Sequence, residues 1–319
     1  MRIGIDLGGS KIHGVRMAAD GSILQSLRVG TPQQDYAATL KAITSLVHEL
    51  DPSATATVGV GTPGSWHAGR AEMQNCNSTW LNERPLLTDL QDRLGNRVRI
   101  ANDADCFARS EVAAQPAADG QDKILFGVIL GTGVGGGVVV NGRLLEGCNG
   151  LAGEWGHTPL PYFRYDSADP TYPLETRLES RHCYCGRVDC LETFLSGPGL
   201  ARTHQSLWGQ QCTPEEIGEA AQRSPSGSQA CDHAQATLEL YEVMLARSLA
   251  QIVNVIDPHT IVLGGGLSNI TRLYRTLLPR IRDFVFSTDC RTMIRPPVWG
   301  DSSGVRGAAW LWDDAERLD

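Results

Sequence analysis

Residues 3–17 read Ile3-Gly-Ile-Asp-Leu-Gly-Gly-Ser-Lys-Ile-His-Gly-Val-Arg-Met17, and residues 126–144 read Phe126-Gly-Val-Ile-Leu-Gly-Thr-Gly-Val-Gly-Gly-Gly-Val-Val-Val-Asn-Gly-Arg-Leu144. Both spell strand, glycine turn, strand. In the first, Ile3, Ile5 and Leu7 alternate onto one side. Gly8 and Gly9 let backbone N–H groups crowd a phosphate where a side chain would clash. Asp6 stands at that turn, where a carboxylate can hold magnesium through water, and Lys11 is a phosphate contact or an exposed strand lysine. A plain hairpin would look the same, since paired glycines are common in turns. By its letters Gly131-x-Gly133-x-x-Gly136 matches a dinucleotide fingerprint. That fingerprint requires a helix to follow, and here Val138, Val139 and Val140 continue as strand. One such hairpin in each half of the chain predicts two lobes of similar α/β construction, gripping phosphates from both sides.

Working outward, Asp20-Gly21 marks a further hairpin turn. Tyr36, Leu40, Ile43, Val47 and Leu50 are spaced by threes and fours, an amphipathic helix stopped by Asp51-Pro52. Residues 57–61 form a buried strand followed by a tight loop, Thr62-Pro63-Gly64. Val98-Arg-Ile-Ala-Asn-Asp-Ala-Asp is a strand running into a helix, with Asn102 and Asp103 at the junction. Asp there is first an N-cap and second a catalytic group, and Asp105 is a rival for the cap. Thr213 and Glu216 predict a capping box. Leu238, Tyr241, Leu245, Leu249 and Ile252 predict a core-facing helix from Asp232, stopped by Asp257-Pro258. Ile261-Val-Leu is a buried strand, and Gly264, Gly265 and Gly266 make a third glycine turn ahead of a helix from Asn269. Residues 300–312 predict a capped helix whose Gly304, Gly307 and Ala308 allow a close neighbour.

Between residues 153 and 192 the chain gathers one His and three Cys: Gly-Glu-Trp-Gly-His, then Cys-Tyr-Cys-Gly-Arg-Val-Asp-Cys-Leu-Glu. His157, Cys183, Cys185 and Cys190 supply the borderline and soft donors that zinc prefers, and four protein ligands make a closed, structural site. Reduced thiols, or a redox pair of Cys185 and Cys190, are the alternatives. Glu154 and Glu192 flank the cluster, so a metal clamp would fix two carboxylates suited to a polyhydroxylated ligand.

Gly-Glu-x-Gly-His followed by Cys-x-Cys-Gly-x-x-x-Cys-x-Glu resembles the signature of the ROK family of bacterial sugar kinases and sugar-responsive repressors. Many members carry Gly where this chain has Asp189. The resemblance runs from Asp6 to Trp312 and implies an actin-like, ribonuclease-H-like ATPase fold with a zinc-binding insertion. It implies a first lobe over 1–118, completed by a C-terminal helix at about 303–319. The second lobe would span 119–302 and carry the zinc segment 153–192. It also implies ATP with magnesium as substrate and a structural zinc ion. Asp103 would be the general base; Gly64, Asn102, Glu154, His157 and Glu192 would contact the sugar. Asp6, Gly8, Gly9, Ser10, Lys11, Thr132 and Gly133 would meet the magnesium and phosphates, and Gly264, Gly265 and Gly266 the adenosine. Asn77-Ser-Thr-Trp-Leu-Asn, Gly-Glu-Trp-Gly-His-Thr-Pro-Leu-Pro and Gly-Asp-Ser-Ser-Gly-Val-Arg-Gly-Ala-Ala-Trp look most like bacterial fructokinases. The resemblance therefore implies phosphorylation of fructose or mannose at the 6-hydroxyl. The alternatives are an N-acetylglucosamine or glucose kinase, or a non-catalytic sugar-sensing regulator. A homodimer is expected from the family.

Composition agrees with this class. The chain has 319 residues, 41% of them hydrophobic and 20% charged, enough for two domains. A net charge of -8 without any long basic run argues against a nucleic-acid surface. No stretch approaches a membrane span. Nine cysteines with no export leader fit a reducing cytoplasm, where thiols serve as metal ligands.

Overall fold

A computed structural model describes residues 1–114, 123–163, 174–222 and 228–312. Part of the connector at 113–122, residues 164–173 of the His/Cys segment expected to bind zinc, residues 223–227 and the chain beyond 312 lie outside the described residues.

Strands β1 (Arg2–Leu7), β2 (Lys11–Met17) and β3 (Ile23–Gly30) form successive antiparallel hairpins. Helix α1 (Tyr36–Leu50) starts at Asp35, whose carboxylate accepts from the Ala38 N–H at 2.9 Å. Its Leu40, Ile43, Leu46, Val47 and Leu50 are buried in one cluster with Ile3, Ile5 and Val58. Each such side chain contributes about 1.5–3 kcal/mol. Then come β4 (Thr57–Thr62), the small hairpin β5 (Ser65–His67) and β6 (Glu72–Gln74), α2 (Leu86–Leu94), β7 (Val98–Asn102) and α3 (Asp103–Ala113). β4 runs parallel to β1 and β7 parallel to β4, giving the order β3-β2-β1-β4-β7.

The second half opens with β8 (Ile124–Leu130), β9 (Val134–Val140) and β10 (Arg143–Leu144). Helices α4 (Glu192–Leu195), α5 (Gly197–Trp208), α6 (Pro214–Gln222) and α7 (Gln229–Ile256) follow the segment of His157 and the three cysteines. β11 (Thr260–Gly264), α8 (Leu273–Arg282), β12 (Met293–Arg295) and α9 (Ser303–Ala309) complete the described chain. The second sheet has the order β10-β9-β8-β11-β12, with β11 parallel to β8 and β12 parallel to β11. Each glycine hairpin thus begins a five-stranded sheet of the same plan, antiparallel strands to one side and parallel ones to the other. This is the two-domain α/β architecture expected from the doubled hairpin.

The described residues belong to two compact units. The first draws on Met1–Lys123, Gly137–Gly153 and Pro297–Asp319, the second on Ile124–Gly136 and Glu154–Pro296. Residues 137–153 and 297–302 therefore group with the first unit, although a lobe spanning 119–302 would put them in the second. Gly137 is one reason: a Cβ there would sit 2.6 Å from the Ala104 carbonyl oxygen and 2.9 Å from the Ala108 methyl, so the bare backbone lies flat on α3. α9 enters the first unit in the same manner. Side chains at Gly4, Gly59 or Gly307 would overlap the carbonyls of Val305, Ala308 and Cys106.

Several boundaries differ from expectation for local reasons. α8 starts at Leu273 and not at Asn269, because Gly265 takes φ 79° and Gly266–Asn269 form a 3-10 turn. α7 begins three residues ahead of Asp232, in a largely exposed first turn, Gln229-Ala230-Cys231, that core-facing periodicity does not register. α9 ends at Ala309 and has no side-chain cap; a 3-10 turn at Gly300–Ser302 leads into it. At α6 the capping box forms: Thr213 N–H donates to Glu216 Oε2 at 2.8 Å and Glu216 N–H to Thr213 Oγ1 at 3.2 Å.

Candidate active site

In the first unit the candidate groups gather where β1, β4 and β7 end. Asn102, not Asp103 or Asp105, is the N-cap of α3, its Oδ1 accepting from the Ala104 N–H at 2.9 Å. An asparagine capping with its oxygen keeps its Nδ2 donors for a ligand. Asp103 is exposed in the first turn of α3, where free backbone N–H groups attract negative charge, and its Oδ1 also accepts from Ala104 N–H at 2.8 Å. Burial raises the Asp6 carboxyl above its ordinary range, with Lys11 opposing the effect. Cys106 is fully buried, and its thiol is pushed up by burial and then by the charges of Asp105, Asp6 and Asp103. Three carboxylates therefore share the neighbourhood of one thiol.

The first glycine turn is held open beside them. Gly8 N–H donates to Lys11 O at 3.0 Å, Thr31 Oγ1 donates to Gly8 O at 2.7 Å, and Gly9, Ser10 and Lys11 are exposed. Gly64 is buried. A Cβ there would lie 2.5 Å from Cys76 Sγ, so packing alone already requires glycine. A cavity of about 660 Å³ runs along the free edge of β7 and is lined by Trp66, Arg99, Asn102, Arg109, Arg143 and Trp312, among others. Neither Gly64 nor Asp103 lines it.

The second unit carries the other half of the candidate set. Trp155–His157 form a 3-10 turn, and Trp155 Nε1 donates to Gly135 O at 2.8 Å while its ring meets Phe126 edge-on at 5.6 Å. Gly136 makes this packing possible, since a Cβ there would lie 2.8 Å from the Phe126 ring and 3.0 Å from Trp155. The Gly-Glu-Trp-Gly-His run is thus locked to the second glycine hairpin. Glu192 bonds to that hairpin too: its Oε2 accepts from Val134 N–H at 3.0 Å, close over Gly133. Gly131 N–H donates to Gly133 O at 3.0 Å, leaving Thr132 exposed at the turn. In the third glycine turn Gly265 lies against Leu130 O, immediately before Gly131, while Gly265 and Gly266 are exposed and Gly264 is buried.

His157, Cys183, Cys185 and Cys190 converge, their ligand atoms all within 4.8 Å of one another. His157 Nδ1 is 3.5 Å from Cys183 Sγ, and Cys185 Sγ is 3.6 Å from Cys190 Sγ. Tetrahedral zinc with its usual bond lengths would set such edges at about 3.6–3.8 Å. The donor set and spacing therefore fit zinc, and a sulfur pair at 3.6 Å is well outside disulfide bonding distance. Local pairing builds the loop. Gly186 N–H donates to Cys183 O, and isolated bridges join His182 to Val188 and Pro159 to Cys190. Asp189 takes φ 58°, a conformation that favours glycine but that Asp tolerates. Its carboxylate also accepts from Arg181 N–H and Ser180 Oγ, both at 2.7 Å. Buried Arg181 then donates to Thr193 O, Gly199 O and Thr203 Oγ1, fastening the loop to α4 and α5.

One participant is not evident from the sequence pattern. Tyr184 lies between two of the cysteines, and its Oη is 3.0 Å from His157 Nε2. Its only signal in the sequence is a phenol at the variable position of Cys-x-Cys.

The sequence profile of the ROK family matches residues 2–315. The chain is 38% identical to the N-acetyl-D-glucosamine kinase of Pasteurella multocida (strain Pm70), over 98% of this chain and 99% of that one. It is 37% identical to the same enzyme of Histophilus somni (strain 129Pt), with equal coverage. Among solved structures, the ROK hexokinase from Thermus thermophilus superposes with a TM-score of 0.78 at 25% identity, covering 97% of both chains.

Proposed function

Because the chain belongs to the ROK family and is a sugar kinase, we propose that its substrate is N-acetyl-D-glucosamine and that it transfers the terminal phosphoryl group of ATP to the 6-hydroxyl. The observation that carries the choice of sugar is the end-to-end similarity to N-acetyl-D-glucosamine kinases at 37–38% identity. Such similarity outweighs the three short runs that point to fructose, which amount to a small part of the chain. An acetamido group differs from a hydroxyl by an N–H donor and a carbonyl acceptor, and a site built to pair both rejects sugars that lack them.

In this reading Asp103 takes the proton from the 6-hydroxyl as its oxygen attacks the γ-phosphorus, and ADP leaves in line. Transfer of this kind depends on positioning and charge stabilisation more than on covalent chemistry. Asn102, capping α3 with its oxygen, donates through its amide to the sugar beside Asp103. Gly64, Glu154, His157 and Glu192 hold the remaining hydroxyls. Asp6 accepts from water on the magnesium of MgATP. The turns at Gly8, Gly9, Ser10 and Lys11 and at Thr132 and Gly133 donate N–H groups, and Lys11 its ammonium, to the phosphates. Gly264, Gly265 and Gly266 lie against the adenosine, where the exposed backbone of Gly265 and Gly266, without side chains, admits a flat ring above buried Gly264. Zinc bound by His157, Cys183, Cys185 and Cys190 supplies rigidity and no reactive position, since four protein ligands close its shell.

The test is to incubate the protein with MgATP and N-acetyl-D-glucosamine and identify the product by phosphorus NMR. The 6-phosphate with stoichiometric ADP is the expected result. ADP release that is independent of sugar, or phosphate on another hydroxyl, contradicts the proposal.

A further inference from the structure

This inference rests on His157 as a sugar contact. Its Nδ1 faces Cys183 Sγ at 3.5 Å within the cysteine cluster, so the ring proton resides on Nε2 when Nδ1 ligates a metal. Nε2–H is then the donor left for a sugar hydroxyl. In this structure Nε2 is 3.0 Å from Tyr184 Oη, with the two rings edge-on at 5.1 Å and 90°. The geometry thus puts a protein hydroxyl where a substrate hydroxyl would bind.

Tyr184 is also free to leave. Its residue is 66% exposed, and the backbone on either side is fixed by Cys183 and Cys185, so the ring can rotate about its Cα–Cβ bond without moving a ligand. We propose that Tyr184 is a placeholder for the substrate: its hydroxyl occupies the sugar-hydroxyl position on His157 in the empty site and is displaced when the sugar binds. It holds His157 in the tautomer and orientation that the sugar needs, and it excludes hydroxylated molecules too weakly bound to displace it. The same contact lowers affinity for the true substrate, because sugar binding exchanges one hydrogen bond for another.

Removing the phenol oxygen removes that competition. Calorimetric titration of the zinc-loaded full chain with N-acetyl-D-glucosamine should show Tyr184→Phe and Tyr184→Ala binding more tightly than the parent, by about two- to tenfold, the worth of one exchanged hydrogen bond. Zinc content measured on the same samples should be unchanged. In sugar-free protein, the His157 Nε2 resonance in a nitrogen-15 spectrum should shift on Tyr184→Phe. Unchanged or weaker sugar binding in both variants, with the parent binding normally and zinc retained, overturns the placeholder. A parent that binds no hexose overturns the sugar-kinase reading and this inference with it.

Discussion

Asp103 and Asn102 are neighbours with different tasks because the helix start separates them. The asparagine takes the cap, so the aspartate is exposed in the first turn, where one of its oxygens accepts from the Ala104 N–H. Asp103→Asn should lower kcat by about 10²–10⁴-fold, the usual worth of a positioned general base, while calorimetry shows sugar affinity close to that of the parent. Parental turnover in that variant would remove Asp103 from the chemistry. Both residues were recognisable from the Asn-Asp pair, but which of them caps α3 was not, since the cap preference of the two residue types is nearly equal. Asp189 is a similar case. Its left-handed φ explains why glycine can stand there, and its bonds to Ser180 and Arg181 exist only in the folded loop. Tyr184 was hidden because nothing in a Cys-x-Cys spacing specifies where the middle side chain turns.

Among the elements, α9 shows most directly what missing side chains do. Gly4, Gly59 and Gly307 bring its backbone onto β1, β4 and α3 at distances that admit no Cβ. Gly307→Ala should therefore cost about 3 kcal/mol or more, since the methyl meets a carbonyl that cannot rotate away, and lower Tm by roughly 6–12 °C. A variant melting with the parent would show that α9 can slide. Glu111 of α3 ties down the segment leading into α9, accepting from Val298 N–H at 2.9 Å and Ser303 Oγ at 3.2 Å. Burial raises its pKa above the ordinary 4.5, against these hydrogen bonds. Stability from the neutral acid is then complete below about 4.5 and is lost as pH rises through the higher folded value. Glu111→Gln keeps a neutral side chain of the same shape. The Tm of the parent should drop relative to this variant as pH rises above about 4.5, whereas parallel curves would contradict a raised pKa. The small residues of this helix were readable in Gly304, Gly307 and Ala308. Its partners Gly4 and Gly59 were not, because strand glycines also occur for turns and bulges.

At the scale of the whole molecule, the doubled glycine hairpin predicted the architecture: each copy opens a five-stranded sheet of one plan. The convergence of His157, Cys183, Cys185 and Cys190 was equally legible, since four soft or borderline donors in one segment have few other uses. The sugar was not. Fructose was suggested by short runs around Asn77, His157 and Gly307, whereas the relatives reported above are N-acetyl-D-glucosamine kinases. Hexoses differ in a few hydroxyls, and the groups that tell them apart belong to loops whose sequence reads alike for several sugars. The most direct measurement is the specificity constant, kcat/KM, for ADP release from MgATP with N-acetyl-D-glucosamine, fructose, mannose, glucose and N-acetylmannosamine, on protein of known zinc content. N-acetyl-D-glucosamine should give the largest value by at least about tenfold, the worth of one well-made polar contact to the acetamido group. A larger value for fructose, or no sugar-dependent turnover in folded, zinc-containing protein, would contradict the account.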